Sequence, residues 1–373
     1  MVRLRVVALT AGFAASVGCC AAAQQQDVIR PKVVIVAYFE VGKDTGDRPG
    51  EAQLWVERDH LDRVIDVPGM THAVRVKADG SEILAVVGPG QIRPAANLMA
   101  LGFDKRFDLR ESYWLINGIA GVSPEDGALG SAFWTDYVVN GDLLHFIDPR
   151  EMPADWRDGY YAIDKSRPEE QPRVAAESAE DVRTWPKDEA QINWRGTVVQ
   201  MNPVLLQWAY GMTKEMKLPQ TEATRTSGAK YKGFAKAQAA PVVSVGANIA
   251  TETFWHGAKM DEWAHRWVVY ETDGRARMGT TSMNDSGAMV ALYALTKAGR
   301  ADWNRALLLR TASNFDRQPE GMTAEQSANS EKHAGFTGYE ASLEAGVCGG
   351  GQGGEGDCGG RGTGGEVGEV AVR

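Results

Sequence analysis

Residues 305–316, Arg-Ala-Leu-Leu-Leu-Arg-Thr-Ala-Ser-Asn-Phe-Asp, join a continuous apolar run to a cluster of hydrogen-bonding side chains. Such a run reads as a strand buried on both faces, and in open α/β sheets ligands sit outside the carboxyl ends of the strands. Just upstream, residues 279–287, Gly-Thr-Thr-Ser-Met-Asn-Asp-Ser-Gly, read as a polar loop opening an apolar helix over 288–297. The order is polar loop, helix, strand, polar tip. Thr311, Ser313, Asn314 and Asp316 then face the same crevice as Met283, Asn284 and Asp285, which outlines a small-molecule pocket.

The rest of the chain alternates in the same way. Strands are expected over 33–39, 83–87, 113–119 and 241–248, and helices over 55–62, 95–101 and 202–213. Pro94 suits an early helical position. Residues 134–139 and 143–147 flank Asn140-Gly141 and read as a hairpin, because Asn-Gly is a strong turn signal. Residues 149–188 are rich in Pro, Asp, Glu and Arg without apolar periodicity, so they read as a surface excursion and a candidate lid. No boundary divides the chain. The expectation is α/β: one three-layer α/β/α domain over 31–345 with a mixed central sheet.

Composition narrows the function classes. With 373 residues, 43% hydrophobic and 24% charged, the chain is an ordinary globular one. Its net charge of −9 supplies no electrostatic footprint for nucleic acid. Residues 1–23 hold a basic start, an apolar run and Ala21-Ala-Ala23, which is the pattern of a signal peptide cut near Ala23. A periplasmic or secreted chain follows. Cys19 and Cys20 raise a lipoprotein alternative, but Ser16 or Val17 stands where a leucine is expected, so the secretory reading is preferred. No later stretch reaches the roughly 18–20 apolar residues of a membrane span. Two cysteines lie in the leader, and the others are Cys348 and Cys358, so the expected core has no thiolate ligand or cysteine nucleophile.

From residue 346 to 373 glycine dominates. That composition loses too much backbone entropy to order, so a disordered tail is expected, with a shifted reading frame as one hypothesis for its origin.

The stretches Val33-Val-Ile-Val-Ala-Tyr-Phe-Glu40, Gly42-Lys-Asp-Thr-Gly-Asp-Arg-Pro-Gly-Glu-Ala-Gln-Leu-Trp55, Trp114-Leu-Ile-Asn-Gly-Ile-Ala-Gly121, Thr253-Phe-Trp-His-Gly257 and the 279–316 segment together resemble the purine nucleoside permease family. The resemblance implies a nucleoside phosphorylase-like fold and a purine nucleoside ligand. It implies that Asn314 contacts the base at its N7 edge and stabilises charge on the leaving purine, with Asp316 in support. Met283 and Asn284 match a superfamily Met-Glu pair that holds ribose. Asn284 is neutral where an acid is expected, and Asp285 is the candidate to supply it. Phe254 matches a base-stacking aromatic, ahead of Trp255, and His256 is a candidate for a sugar hydroxyl. Glu40, at the end of the first strand, is the candidate general base. Asn117, Gly118, Ala120 and Gly121 read as a glycine-lined strand end where a ligand approaches backbone.

Dull readings stand beside each of these. Asn314 and Asp285 also suit a turn and a helix entry, Trp255 suits core, and Asp44 and Asp47 suit turns. Gly88-Pro-Gly90 with Arg93 could cradle phosphate at a helix start, but a tight turn explains it as readily. No metal site and no cofactor are expected, since His256, Asp261, Glu262 and His265 match no zinc spacing. Three activities stay open: a nucleosidase, a non-catalytic receptor serving an inner-membrane transport partner, and a phosphate-dependent phosphorylase. A homo-oligomer is the other partner to expect.

Overall fold

The computed structural model describes residues 28–163, 165–170 and 198–351. The leader, the second part of the candidate lid and residues 352–373 lie outside the described residues. Strands β1 (Val33–Ala37), β4 (Glu82–Val86), β5 (Tyr113–Val122), β6 (Ala132–Asn140), β10 (Val243–Ala250), β11 (Met278–Ser282) and β12 (Ala306–Phe315) form the body of a ten-stranded mixed sheet. Short strands β2 (Arg63–Ile65), β3 (Val74–Val76) and β9 (Val198–Gln200) extend it. The order is β11-β10-β6-β12-β5-β1-β4-β3-β2, with β9 on β6.

Alternation along the strands divides the core between two helical layers, as a sheet covered on both faces requires. Val34, Val36, Trp114, Ile116 and Leu308 pack with helices α2 (Ile92–Phe103) and α7 (Asp285–Lys297). Ile35, Ala37, Leu115 and Leu309 point the other way, toward α1 (Gln53–Arg58), α3 (Pro203–Thr213) and α9 (Tyr339–Gly350). A third cluster gathers Trp263, Trp267 and Val268 of α6 (Ala258–Glu271) against Ala247 and Ile249. The remaining helices are α4 (Glu222–Gly228), α5 (Ala235–Gln238) and α8 (Ala324–Ala334). The expected α/β class with a mixed central sheet and two covering layers is what forms.

One feature bends this sandwich. Strand β11 also reaches across to β5, pairing Thr281 with Gly121 in antiparallel register, so β5, β12, β6, β10 and β11 close on themselves. That closure brings the carboxyl ends of β5, β11 and β12 to one place.

Three local expectations change. Residues 278–282 are a strand rather than a polar loop, because they pair with β10 as well as β5. The 134–147 hairpin does not form. Asn140 does make the turn, accepting from the backbone of Asp142 (2.8 Å) and Leu143 (3.0 Å), but β6 pairs with β10, β12 and β9. The next strand, β7 (His145–Phe146), pairs instead with β8 (Tyr160–Tyr161). Helix α9 runs on to Gly350, past the boundary expected at Ala345. Its glycines allow close packing: a Cβ at Gly346 would lie 2.8 Å from Asn117 Oδ1, and one at Gly350 would lie 2.7 Å from Leu115 Cδ2. A composition that suggests disorder here serves contact.

Candidate functional site

Two polar groups mark β12, one at Arg310 and one at its carboxyl end, Ser313, Asn314 and the following Asp316. The first is centred on Arg310, whose side chain is 0% exposed in the middle of an apolar strand. A buried guanidinium needs a partner, and Asp285, also 0% exposed, receives both its Nε (2.9 Å) and its Nη2. Asp285 also accepts from Tyr38 Oη (2.6 Å), Asn248 Nδ2 (2.7 Å) and Ser282 Oγ (3.0 Å). Thr280 in turn donates to Asn248 Oδ1, and the guanidinium lies 4.6 Å from the centre of the Tyr38 ring. With its oxygens spent on five donors, Asp285 positions Arg310 and the end of β11. The residue expected as a catalytic acid on the crevice wall is thus placed in the Arg310 pair.

Glu51 adjoins this knot. Its oxygens accept the backbone N–H groups of Tyr38 (2.7 Å) and Ile119 (2.8 Å). Gly118 makes the room, since a Cβ there would strike Arg310 Nη1 and lie 2.8 Å from Glu51 Oε1. Burial pushes the Glu51 carboxyl up to about 7, against the opposing pull of Arg310. The sequence reading placed this carboxylate role on Glu40. Glu40 instead accepts from the backbone of Val41, Gly50, Ala52 and Gln53, which ties down the 41–50 loop and the start of α1. The loop returns to the strand end where Glu51 N–H donates to Phe39 O (3.0 Å). Asp44 anchors that loop to His72 (2.8 Å) and Arg75 (2.6 Å).

The second group is the tip of β12. A register shift between Ala312 and Asn314 places both Asn314 and Thr281 opposite Gly121. A Cβ at Gly121 would lie 2.8 Å from Thr281 Cγ2, 3.6 Å from Asp316 Cβ and 3.7 Å from Asn314 Nδ2, so glycine keeps this meeting point open. The Ser313 hydroxyl lies 2.9 Å from Asn314 Oδ1 and 3.1 Å from Ala120 O, and its single proton serves one or the other. The first choice holds the Asn314 carbonyl inward. Its Nδ2 reaches only the adjacent Phe315 carbonyl, at 3.3 Å, which leaves an amide N–H to offer. Asp316 is 1% exposed, and neither carboxyl oxygen has a hydrogen-bond partner among the described residues. Burial, and then the neighbouring Asp261 carboxylate, push its pKa well above the usual carboxylate range, which favours the protonated form. Thr311 lies behind the tip, its hydroxyl 3.4 Å from Gly118 O.

Two loops are fastened to this tip. Gly257 N–H donates to Asp316 O and Gly338 N–H donates to Ser313 O, each at 2.8 Å. The first loop carries Phe254, 54% exposed, and His256, whose ring nitrogens are buried without a partner among the described residues and whose pKa burial lowers. Trp255, between them, is buried in the α6 cluster. Met283 and Asn284 follow the β11 end, and Asn284 Oδ1 accepts from Gly90 N–H at 2.8 Å. Asn117 faces away, bonded to Trp55 Nε1 and Leu309 O at 3.3 Å each beneath α9.

The start of α2 contains its own anion. Gln91 and Ile92 donate their backbone N–H groups to Glu252 Oε1, at 2.7 and 3.2 Å. The cradle weighed for phosphate is therefore filled by a protein carboxylate. Among the described residues no group of three or more His, Cys, Asp or Glu side chains is placed to hold a metal. His265 instead sits between Asp126 (2.9 Å) and Asp261 (3.0 Å). Burial opposes its charge, but the two carboxylates prevail and lift it to about 11.

Among known families, the chain matches that described as "Purine nucleoside permease (NUP)" over residues 30–352. It belongs to that family. It is 25% identical over 305 residues to a "Probable purine nucleoside permease" of Schizosaccharomyces pombe, covering 80% of this chain and 82% of the relative. It is 23% identical over 324 residues to the "Purine nucleoside permease" of Candida albicans, covering 85% and 72%. Similar solved structures include the 5'-methylthioadenosine/S-adenosylhomocysteine nucleosidase of Neisseria meningitidis, at 13% identity and a TM-score of 0.46, covering 85% of this chain and 97% of that one. The futalosine hydrolase of Helicobacter pylori has 13% identity and a TM-score of 0.47, covering 86% and 95%. Despite the family's name, among the described residues no helix is long and apolar enough to cross a membrane.

Glu51, Arg310 and Tyr38 are the residues that sequence reasoning passed over. A signal was present: an arginine directly after Ala306-Leu-Leu-Leu309 must find a buried anion.

Proposed function

We propose that this chain is an exported protein that captures a purine nucleoside at the tip of β12 and cleaves its N-glycosidic bond with water. The Asp316 carboxyl, unpartnered among the described residues, and the Asn314 amide, with one proton beyond its bond to Phe315 O, carry this reading, because buried hydrogen-bonding capacity left unspent is where a polar ligand is stabilised. The Asn314 N–H donates to purine N7, an acceptor, and the neutral Asp316 supplies the proton taken up by the departing base. In the balanced step the water oxygen bonds to C1′ as the C1′–N9 electron pair leaves with the purine. We assign Glu51, bonded to the Ile119 N–H two residues before Gly121, to receive the water's proton, and a carboxyl pushed up to about 7 by burial suits that task near neutrality.

Glu252 supports hydrolysis over phosphorolysis, because its carboxylate already occupies the helix start weighed for phosphate. A second reading, a receptor that hands nucleoside to a transport partner, is favoured by the sugar side. There Asn284 is neutral and Asp285 is consumed by Arg310, so no free carboxylate from that pair faces a cationic ribosyl group.

Incubating the mature protein with inosine, guanosine and adenosine, with and without phosphate, separates the readings. Free base plus ribose supports hydrolysis, base plus ribose phosphate overturns it, and tight binding without product leaves the receptor. Export rests on the leader at 1–23, and N-terminal sequencing of protein from its host should begin near Gln24.

A further inference from the structure

The two loops fastened to the β12 tip each present one phenylalanine. Phe254 comes from the segment that ends at Gly257 on Asp316 O, and Phe336 lies two residues before Gly338 on Ser313 O. Their rings are 11° from parallel with centroids 6.1 Å apart. Phe254 is 54% exposed, an uncommon position for a large apolar ring, and Phe336 is partly buried. The loops that carry the pair are therefore tied to Ser313 and Asp316, on either side of Asn314 in the chain.

We propose that Phe254 and Phe336 form a two-sided clamp for a planar heteroaromatic base, with Phe336 the second face. The two rings make an offset stack, for which 6.1 Å is an ordinary centroid separation. A planar ring in contact with both needs about 7 Å between them, two contacts of roughly 3.5 Å each. Most of the centroid separation in an offset stack is lateral slide, so the rings must part by about one ring thickness, roughly 3.5 Å, through the rotamer changes that are common at binding surfaces. A clamp of this kind grips any base by its π face and leaves the choice among bases to the polar strand tip. It gives Phe336 a role in affinity without one in base preference. The inference rests on the nucleoside reading above for its ligand class.

Calorimetric titration of wild type, Phe336→Ala, Phe336→Leu and Phe336→Tyr with inosine, adenosine and the free bases hypoxanthine and adenine tests it, with a melting curve for each variant. The alanine variant should lose about tenfold or more in affinity for all four probes alike, the leucine variant nearly as much, and the tyrosine variant little. Nucleoside binding that survives Phe336→Ala within error in folded protein overturns the clamp and leaves the nucleoside reading standing. Binding of free bases that depends on Phe336, with no binding of nucleosides, supports the clamp and overturns that reading. A wild type that binds none of the four overturns both.

Discussion

The middle and the tip of β12 present opposite solutions to the same problem. At Arg310 a charge is fully buried and every nearby polar atom of Asp285, Tyr38, Asn248 and Ser282 has a partner. At Asn314 and Asp316 the groups are nearly as buried, yet among the described residues an amide proton and both carboxyl oxygens are left over. A satisfied network holds its own structure together, whereas an unsatisfied one awaits something else. The contrast teaches that burial alone does not mark a site. What marks it is burial with hydrogen-bonding capacity unspent.

The sharpest way to break this comparison is to open the satisfied end. Asp285→Ala strands the Arg310 guanidinium and should cost about 3–5 kcal/mol, read as a fall in the urea midpoint. An unchanged midpoint would mean that the knot is not structural.

Next in size is a pH effect at Glu51. Its folded-state pKa is raised from 4.5 to about 7, so between those values the folded state holds a proton that the unfolded chain has lost. Its contribution to stability is full below 4.5 and falls as pH rises through 7, by about 3 kcal/mol in all. Glu82 and Glu331, also near 7, and Asp136, near 6, titrate in the same window. The difference between wild type and Glu51→Gln isolates the residue: the wild type's relative stability should decline from pH 4.5 to 7. A flat difference removes Glu51 from the buried set.

The boundary of the fold comes third. A chain ending at Ala345 loses the last turns of α9, exposes Trp55 and Leu115 and deletes the buried Val347, for about 2 kcal/mol. A chain ending at Gly351 should melt with the full-length protein and bind nucleoside equally well. Equal melting of the two truncated chains would return the domain boundary to Ala345.

The smallest effect on stability, and the largest on binding relative to it, belongs to the unsatisfied end. Asn314→Ala should shift stability by about 1 kcal/mol, the worth of its bonds to Ser313 and Phe315, while weakening inosine binding roughly tenfold to a hundredfold. Calorimetry beside a melting curve reads both, and affinity retained in folded protein would remove Asn314 from the site.

Much of the architecture follows from residue order alone. The apolar runs that become β1, β4, β5, β10 and β12, the helix begun by Asn202, and the polar tip at Ser313–Asn314–Asp316 were all legible, because periodicity and local composition report burial directly. The spread of motifs from Val33 to Asp316 likewise sufficed for the family. Partner choice was not legible. Asn140-Gly141 signalled its turn correctly, but which strand β6 would pair with depended on β10, more than a hundred residues on. The glycines of α9 read as disorder until Leu115, Asn117 and Trp55 were packed against them.

The carboxylates show the division most plainly. Residue type and position offered Glu40 and Asp285 and passed over Glu51. Tertiary structure assigned Glu40 to a loop, Asp285 to Arg310, and Glu51 to the strand ends. Tyr38 and Asp285 are 247 positions apart in the chain and 2.6 Å apart in the fold. The sequence by itself determined which residues are acids and which segments are buried. Whether a buried acid is spent on a neighbour or left free for a ligand depends on groups that only folding brings together, since hydrogen bonds and charge pairs act over a few ångströms.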